Sequence, residues 1–203
     1  MLNYRVILPV LTGVLVLGCS DVNANKASPN IEIKSDNMHA LDKSENETLD
    51  MQSSNIALLR NNIVSYEKVI SLDMILLDIR KLYNLVGYED LKTLSDEMWS
   101  GKAKTPRNPH ASALVAYVLN DIKQEQWSAL RTGIAFEKGL GFDRDIKRSE
   151  QYLSLPILKK NATAHYFLSQ LKSERNERVE AEFHLRKAAR LGHRKARSEL
   201  EIE

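Results

Sequence analysis

The sequence predicts an all-α protein: a domain of helical hairpins stacked as in an α-solenoid, carried behind a disordered amino-terminal tether. Three observations predict it. From Ile56 onward the apolar residues recur three or four apart, the period of a helix with one buried face. With Gly at 8, Pro at 5 and aromatics at 6%, the chain is short of turn formers and of the rings that β-sandwiches use. No segment alternates apolar and polar residues over the length of a strand. A length of 203 residues, 43% apolar and 28% charged, suits one globular domain with appendages. The 29 basic and 27 acidic residues leave a net charge of +2, too balanced for an electrostatic footprint, so nucleic acid is not an expected partner.

Residues 1–18 carry a single charge, Arg5, ahead of an apolar run from Val6 to Leu17. Its 12 residues fall short of the roughly 20 that a helix needs to cross about 30 Å of hydrocarbon, so the run reads as the apolar region of a signal peptide. The run closes on Leu15-Val16-Leu17-Gly18-Cys19, with the only cysteine of the chain directly after a small residue. This resembles the bacterial lipobox, which implies that Cys19 is acylated once the first 18 residues are removed. Two or three acyl chains make a stable anchor where one binds only reversibly, and no spanning helix is required. In the lipoprotein pattern of enteric-type bacteria, Ser20 after the cysteine implies passage to the outer membrane, facing the periplasm, and Asp21 leaves the inner membrane open in other lineages. From residue 19 to 54 the chain is polar, with seven acidic and three basic residues after the cysteine and no sustained apolar period. It is expected to be a disordered tether reaching roughly 30 to 35 Å.

The N-terminal helices are expected over 55–122. Ile56, Leu59, Ile63, Tyr66 and Ile70 form one stripe. Ser71 can cap the next helix, in which Leu72, Ile75, Leu76, Ile79, Leu82 and Val86 continue the period up to Gly87, a left-handed stop. Tyr88, Leu91, Leu94 and Met98 make a third helix ending near Gly101. Asn108-Pro109 then offers a cap and a first-turn proline to a helix carrying Ala111, Leu114, Val118 and Ile122.

Over 123–203 the chain repeats itself. Gly133, Phe136, Gly139, Gly141 and Asp145 lead to Arg148, Ser149 and Tyr152, and the later part of the same pattern returns as Ala181, His184-Leu185, Lys187-Ala188-Ala189 and Gly192. The region from Trp127 to Ala196 resembles the Sel-like repeat, a branch of the tetratricopeptide-like helical hairpins. Departures are Phe142 for valine, Arg148 for lysine, Ser149 for alanine and Pro156 where an alanine belongs, the last of which should stop the second helix early. In the second copy Glu180 stands in the lysine place and His184 in an aromatic one, and the Gly-x-Gly turn is replaced by the polar Ser173-Glu174-Arg175-Asn176. Glycines 139 and 141 suit a tight interhelical turn, Gly133 and the alanines at 181, 188 and 189 let backbones approach, and Asp145 can cap a helix. A single hairpin cannot bury its face, so the earlier helices are expected to stack on the repeats.

No familiar catalytic constellation occurs: there is no nucleophile elbow, zinc helix, P-loop or cysteine pair. His165, His184 and His193 are not spaced as ligands, Asp143 and Asp145 flank Arg144 in a turn where capping is the simple role, and acylation would consume Cys19. No cofactor, metal or catalytic residue is expected. Arg186, Arg190, Arg194 and Arg197, with Lys187 and Lys195, crowd the last helices. This is a solvated face or a surface for an acidic patch on a partner protein, with anionic headgroups as a further candidate. The expected function is a lipid-anchored, non-catalytic interaction module of the periplasm. The resemblance also implies, as an alternative, an immunity protein neutralising a secreted lipase-type toxin, and an envelope hydrolase with an unrecognised site is the rival class.

Overall fold

The computed structural model describes residues 36–67, 70–101 and 105–200. Cys19, the signal peptide and the tether up to residue 35 lie outside the described residues. The chain divides into two units, residues 1–42 and 43–203. The described part of the first is helical, and the second carries all that follows. Among the described residues there are eight α-helices and no strand: α1 (Asp36–Val64), α2 (Leu72–Ser100), α3 (Pro109–Ile122), α4 (Gln126–Lys138), α5 (Ile146–Leu153), α6 (Ala162–Glu174), α7 (Arg178–Arg190) and α8 (Arg194–Glu199), with a 3-10 turn at Pro156–Leu158. From α2 to α8 each helix packs on its successor in the chain, which makes the unit a ladder of helical hairpins.

Helix α1 departs from the sequence reading at both ends. Helix begins at Asp36, so residues 36–54, read as disordered tether, are helical; from Glu47 to Asn55 every side chain is exposed, and this stretch has no buried stripe to betray it. At the other end the helix stops at Val64, and Tyr66 and Ile70 do not continue it. The cause is Asn108. Its amide nitrogen donates to the carbonyls of Val64 (3.0 Å) and Tyr66 (2.8 Å), drawing the chain aside, while its amide oxygen accepts from Ala111 N (3.0 Å) and caps α3 as expected. Tyr66 is buried all the same, whereas Ile70 is exposed.

Ser71 stands at the start of α2 but its side chain caps nothing. Gly87 divides α2 into two helical segments, as the sequence anticipates: at φ 82°, ψ −174° it is non-helical, in a region open essentially to glycine alone, and the second segment runs to a left-handed stop at Gly101. Ile75, Ile79, Leu82, Leu91, Leu94 and Met98 then enter one core with Ile63, Leu114, Val118 and Phe136. Ile122 stays exposed.

The α4–α5 hairpin follows the expected turn. Gly139 (φ 69°) and Gly141 (φ 74°) are left-handed, and Asp145 accepts from Arg148 N at 2.9 Å to cap α5. Gly133 is held by contact, because a β-carbon there would lie 2.7 Å from Leu153 Cδ2. Ser149 Oγ donates to the Gly133 carbonyl (2.8 Å), and Phe142 stacks on Phe136 at 4.6 Å, with Tyr152 on the same ring at 5.6 Å. Helix α5 ends at Leu153 and Pro156 opens the 3-10 turn, the early stop that the proline implies.

Where α2, α3 and α4 meet, Arg131 lies between Trp99 (4.9 Å) and Trp127 (5.1 Å) and donates to Ser95 Oγ and Asp96 Oδ1, both at 2.8 Å. Both tryptophans, half-buried, are thus engaged with Arg131.

Candidate functional site

The last hairpin, α6–α7, and the short α8 carry the basic residues singled out above. Without a Gly-x-Gly turn the hairpin closes by other means. Asn176 takes the left-handed position (φ 60°), which asparagine tolerates better than most residues. Lys172 gathers Glu150 (2.7 Å), Glu177 (2.8 Å) and Glu180 (2.7 Å), and Arg175 joins Glu150 and Glu177. Hydrogen bonds to these three carboxylates, Glu150 first, hold the Lys172 ammonium above its ordinary range. Glu180 is therefore part of the clasp that closes this hairpin.

Inside this hairpin the packing is made of small residues: Ala188, Ala189 and Ala196 are buried with Tyr166, and Ala181 is half-buried. Gly192 (φ 94°) turns the chain into α8, which His193 caps by accepting from Ala196 N (3.3 Å). His184 packs where an aromatic was expected, stacked on His165 with centroids 5.1 Å apart. Their Nδ1 atoms are 2.9 Å apart, and His165 Nε2 lies 3.0 Å from the Lys159 carbonyl. A carbonyl only accepts, so His165 carries its proton on Nε2 and His184 donates from Nδ1, with both rings neutral. Burial lowers the pKa of each, that of His184 to about 4 with the neighbouring His165 as second cause. This contact crosses two helices, and no spacing along the chain announces it.

The four arginines do not act as one patch. Arg186 is bound to Glu182 on its own helix (2.9 and 2.6 Å), and Arg197 Nε donates to the Ala189 carbonyl (3.2 Å), fastening α8 to α7. Arg190 and Arg194 are exposed and form no ion pair among the described residues. At 100° per residue, Val179, Phe183, Arg186 and Arg190 fall on one side of α7. That side looks outward: Val179 is 83% and Phe183 53% exposed, and Lys187 lies over the Phe183 ring at 5.8 Å. The charges were legible in the sequence, but the apolar half of this stripe was overlooked, although Val179 and Phe183 are four apart.

On the other flank of α7 lies a cleft of about 570 Å³ between the end of α4, α6, α7 and α8. Four carboxylates line it, Glu137, Glu174, Glu182 and Glu199, against two cations, Lys138 and Arg178. Glu137 is only 5% exposed. Its Oε1 accepts from Lys138 Nζ at 2.9 Å, and its buried Oε2 has no hydrogen-bond partner in the protein. Sequence reasoning passed over Glu137, whose one signal is a charge beside the packed Phe136.

Among the described residues no group of three or more His, Cys, Asp or Glu is placed to hold a metal ion, and no helix is long and apolar enough to cross a membrane. Comparison with protein-family models, with curated proteins and with solved structures returned no match.

Proposed function

We propose that this chain is a lipid-anchored, non-catalytic protein-interaction module of the bacterial envelope, built on Sel-like helical repeats and held through acylated Cys19 at the outer membrane, facing the periplasm. The observation that carries this reading is the outward stripe of α7, where Val179 and Phe183 stay exposed on the side that also carries Arg190, which like the exposed Arg194 of α8 has no ion pair among the described residues. Exposed apolar side chains beside Lys187, which lies over the Phe183 ring, and on the same side as Arg190 suit a protein surface of acidic character, in which the ring and stems lose water while the charges steer and orient the encounter. The all-helical ladder supports the same reading, because a rigid array presents such a stripe without reorganising.

Two experiments test it. Labelled palmitate should enter the wild-type chain and not Cys19→Ala; absence of label in the wild type removes the anchor. A photo-crosslinking residue in place of Phe183 should trap one envelope protein in intact cells, whereas the same group in place of Leu77 on α2, also exposed, should not. Equal yields from both positions would remove α7 as the recognition face.

A further inference from the structure

We propose that the chain pairs with a second copy of itself through the outward face of α2, the two helices running antiparallel about a two-fold axis beside the midpoint of Ile79 and Arg80. The starting point is a stripe of exposed residues on the first half of α2. Met74, Leu77 and Leu85 stand exposed, and at 100° per residue they fall with Asp78 and Lys81 within about 100° of the helix circumference. Their spacing is that of a seam between two helices, yet no described helix covers it. Helix α1 packs on the neighbouring side, through Ile63 against Ile75 and Ile79, and adds the exposed Met51 and Leu58 of its own. Single apolar side chains at a surface are ordinary, whereas a run of them along one hairpin marks an interface.

The order of charges along the stripe selects the occupant. In an isologous contact residue i meets residue j and j meets i. An axis at that midpoint sets Asp78 against the second copy's Lys81 and Lys81 against its Asp78, with Met74 against its Leu85 and Leu85 against its Met74. The ends of the seam close on apolar pairs and its centre on opposite charges. Within one chain the Lys81–Asp78 contact is loose, at 3.6 Å with Lys81 55% exposed, and Asn62 Nδ2 donates to the same carboxylate at 3.2 Å. The second copy thus completes a ring of four alternating charges, an arrangement that outweighs an isolated surface pair. A bilayer or an apolar helix brings no counter-charge to that centre and would strip water from both groups. Leu85 also lines a groove of about 550 Å³ between α1 and α2, with Leu58 in the same lining, so the second copy's Met74 arrives opposite apolar walls. The groove is otherwise edged by the neutral amides of Asn55, Asn62 and Asn84, and two copies meet there without like-charge repulsion.

The test follows the mass of the full-length chain by sedimentation equilibrium in density-matched detergent, at increasing concentration. For the wild type it should rise toward that of two chains. Lys81→Asp sets carboxylate against carboxylate, and Asp78→Lys sets ammonium against ammonium, so either variant alone should associate at least about tenfold more weakly. An equal mixture of the two variants should associate as the wild type does. So should Asp78→Lys/Lys81→Asp, in which the opposite charges return with their places exchanged. Leu77→Ser serves where a charge variant does not fold, and it too should weaken association by at least about tenfold. A single-chain mass for the wild type at every concentration, folded single variants that associate as it does, or a mixture that stays apart would each overturn the proposal. The inference does not rest on the α7 reading: photo-crosslinking from Leu77 then joins two identical chains and not the envelope partner sought from Phe183, so either can fail without the other.

Discussion

The helices from α1 to α4 and those from α6 to α8 solve the same packing problem with different materials. In the first region Ile79, Leu91, Met98, Leu114 and Phe136 fill the space between helices, and even the arginine at their junction is enclosed by two tryptophans. In the second, α6 still buries Leu168 and Leu171 against α4 and α5, but toward α7 and α8 the buried residues are Ala188, Ala189 and Ala196 around Tyr166, and the large apolar residues Val179 and Phe183 stand outside. Large core residues bury more apolar area per helix, and each methylene so buried contributes about 0.8 kcal/mol. The alanine-built hairpin gains less from burial and relies on the clasp of Lys172, Arg175 and their carboxylates. Apolar burial is thus concentrated in the front of the ladder, and the rear carries the exposed stripe for which we propose recognition.

A pair of phenylalanine truncations is the harshest way to break this contrast. Phe136→Ala, in a ring cluster with Phe142 and Tyr152, is expected to cost about 3–5 kcal/mol in urea denaturation, and Phe183→Ala no more than about 0.5 kcal/mol. Similar losses at the two positions would contradict the division of labour. A smaller effect belongs to Asn108, which joins α1 to α3. Asn108→Asp keeps the cap on α3 but turns an acceptor toward the two carbonyls that the amide now serves, an expected loss of about 1–3 kcal/mol. Asn108→Ala forfeits the cap as well, worth about 1 kcal/mol. If Asn108→Asp unfolds at the same urea concentration as the wild type, the account of how α1 ends is wrong.

Acid should act on the rear of the ladder through the stacked histidines. Burial depresses both, so as pH falls below the ordinary histidine value of 6.5 the unfolded chain takes up protons before the folded one does. Their contribution is complete above 6.5 and is lost as pH falls through about 4, the value for His184. The melting temperature of the wild type should drop across that window, and the dependence should flatten in His165→Phe/His184→Phe, which keeps aromatic packing without a titrating group. Identical pH profiles for the two proteins would exclude the pair as the source.

What could be read from the sequence was what neighbours in the chain decide. Gly139, Gly141 and Asp145 announce a turn and a cap because their conformations are set within a few residues, and Asn108-Pro109 does the same for α3. Helix α1 escaped because its end is dictated by Asn108, 44 residues beyond Val64, and because the stretch from Glu47 to Asn55 is exposed throughout and so carries no period. The histidine pair and the carboxylate of Glu137 depend on which helices meet, and that is a property of the ladder rather than of any stretch of it. The arginines were visible as charge, and the Arg186–Glu182 pair, four apart on one helix, is within reach of spacing, but that Arg197 binds the Ala189 carbonyl is settled by the placement of α8 on α7.

The central claim is that the outward face of α7 and α8 recognises a partner without contributing to the fold. Arg190→Glu/Arg194→Glu in the full-length chain tests it most directly, with the wild type and the variant compared for the amount of envelope partner retained after cross-linking, at low and at high salt, alongside their melting temperatures. The account predicts strong loss of capture at low salt, a difference that narrows as salt rises, and a stability change within about 0.5 kcal/mol. Capture equal to the wild type at low salt would contradict it, leaving the basic ridge as a solvated face.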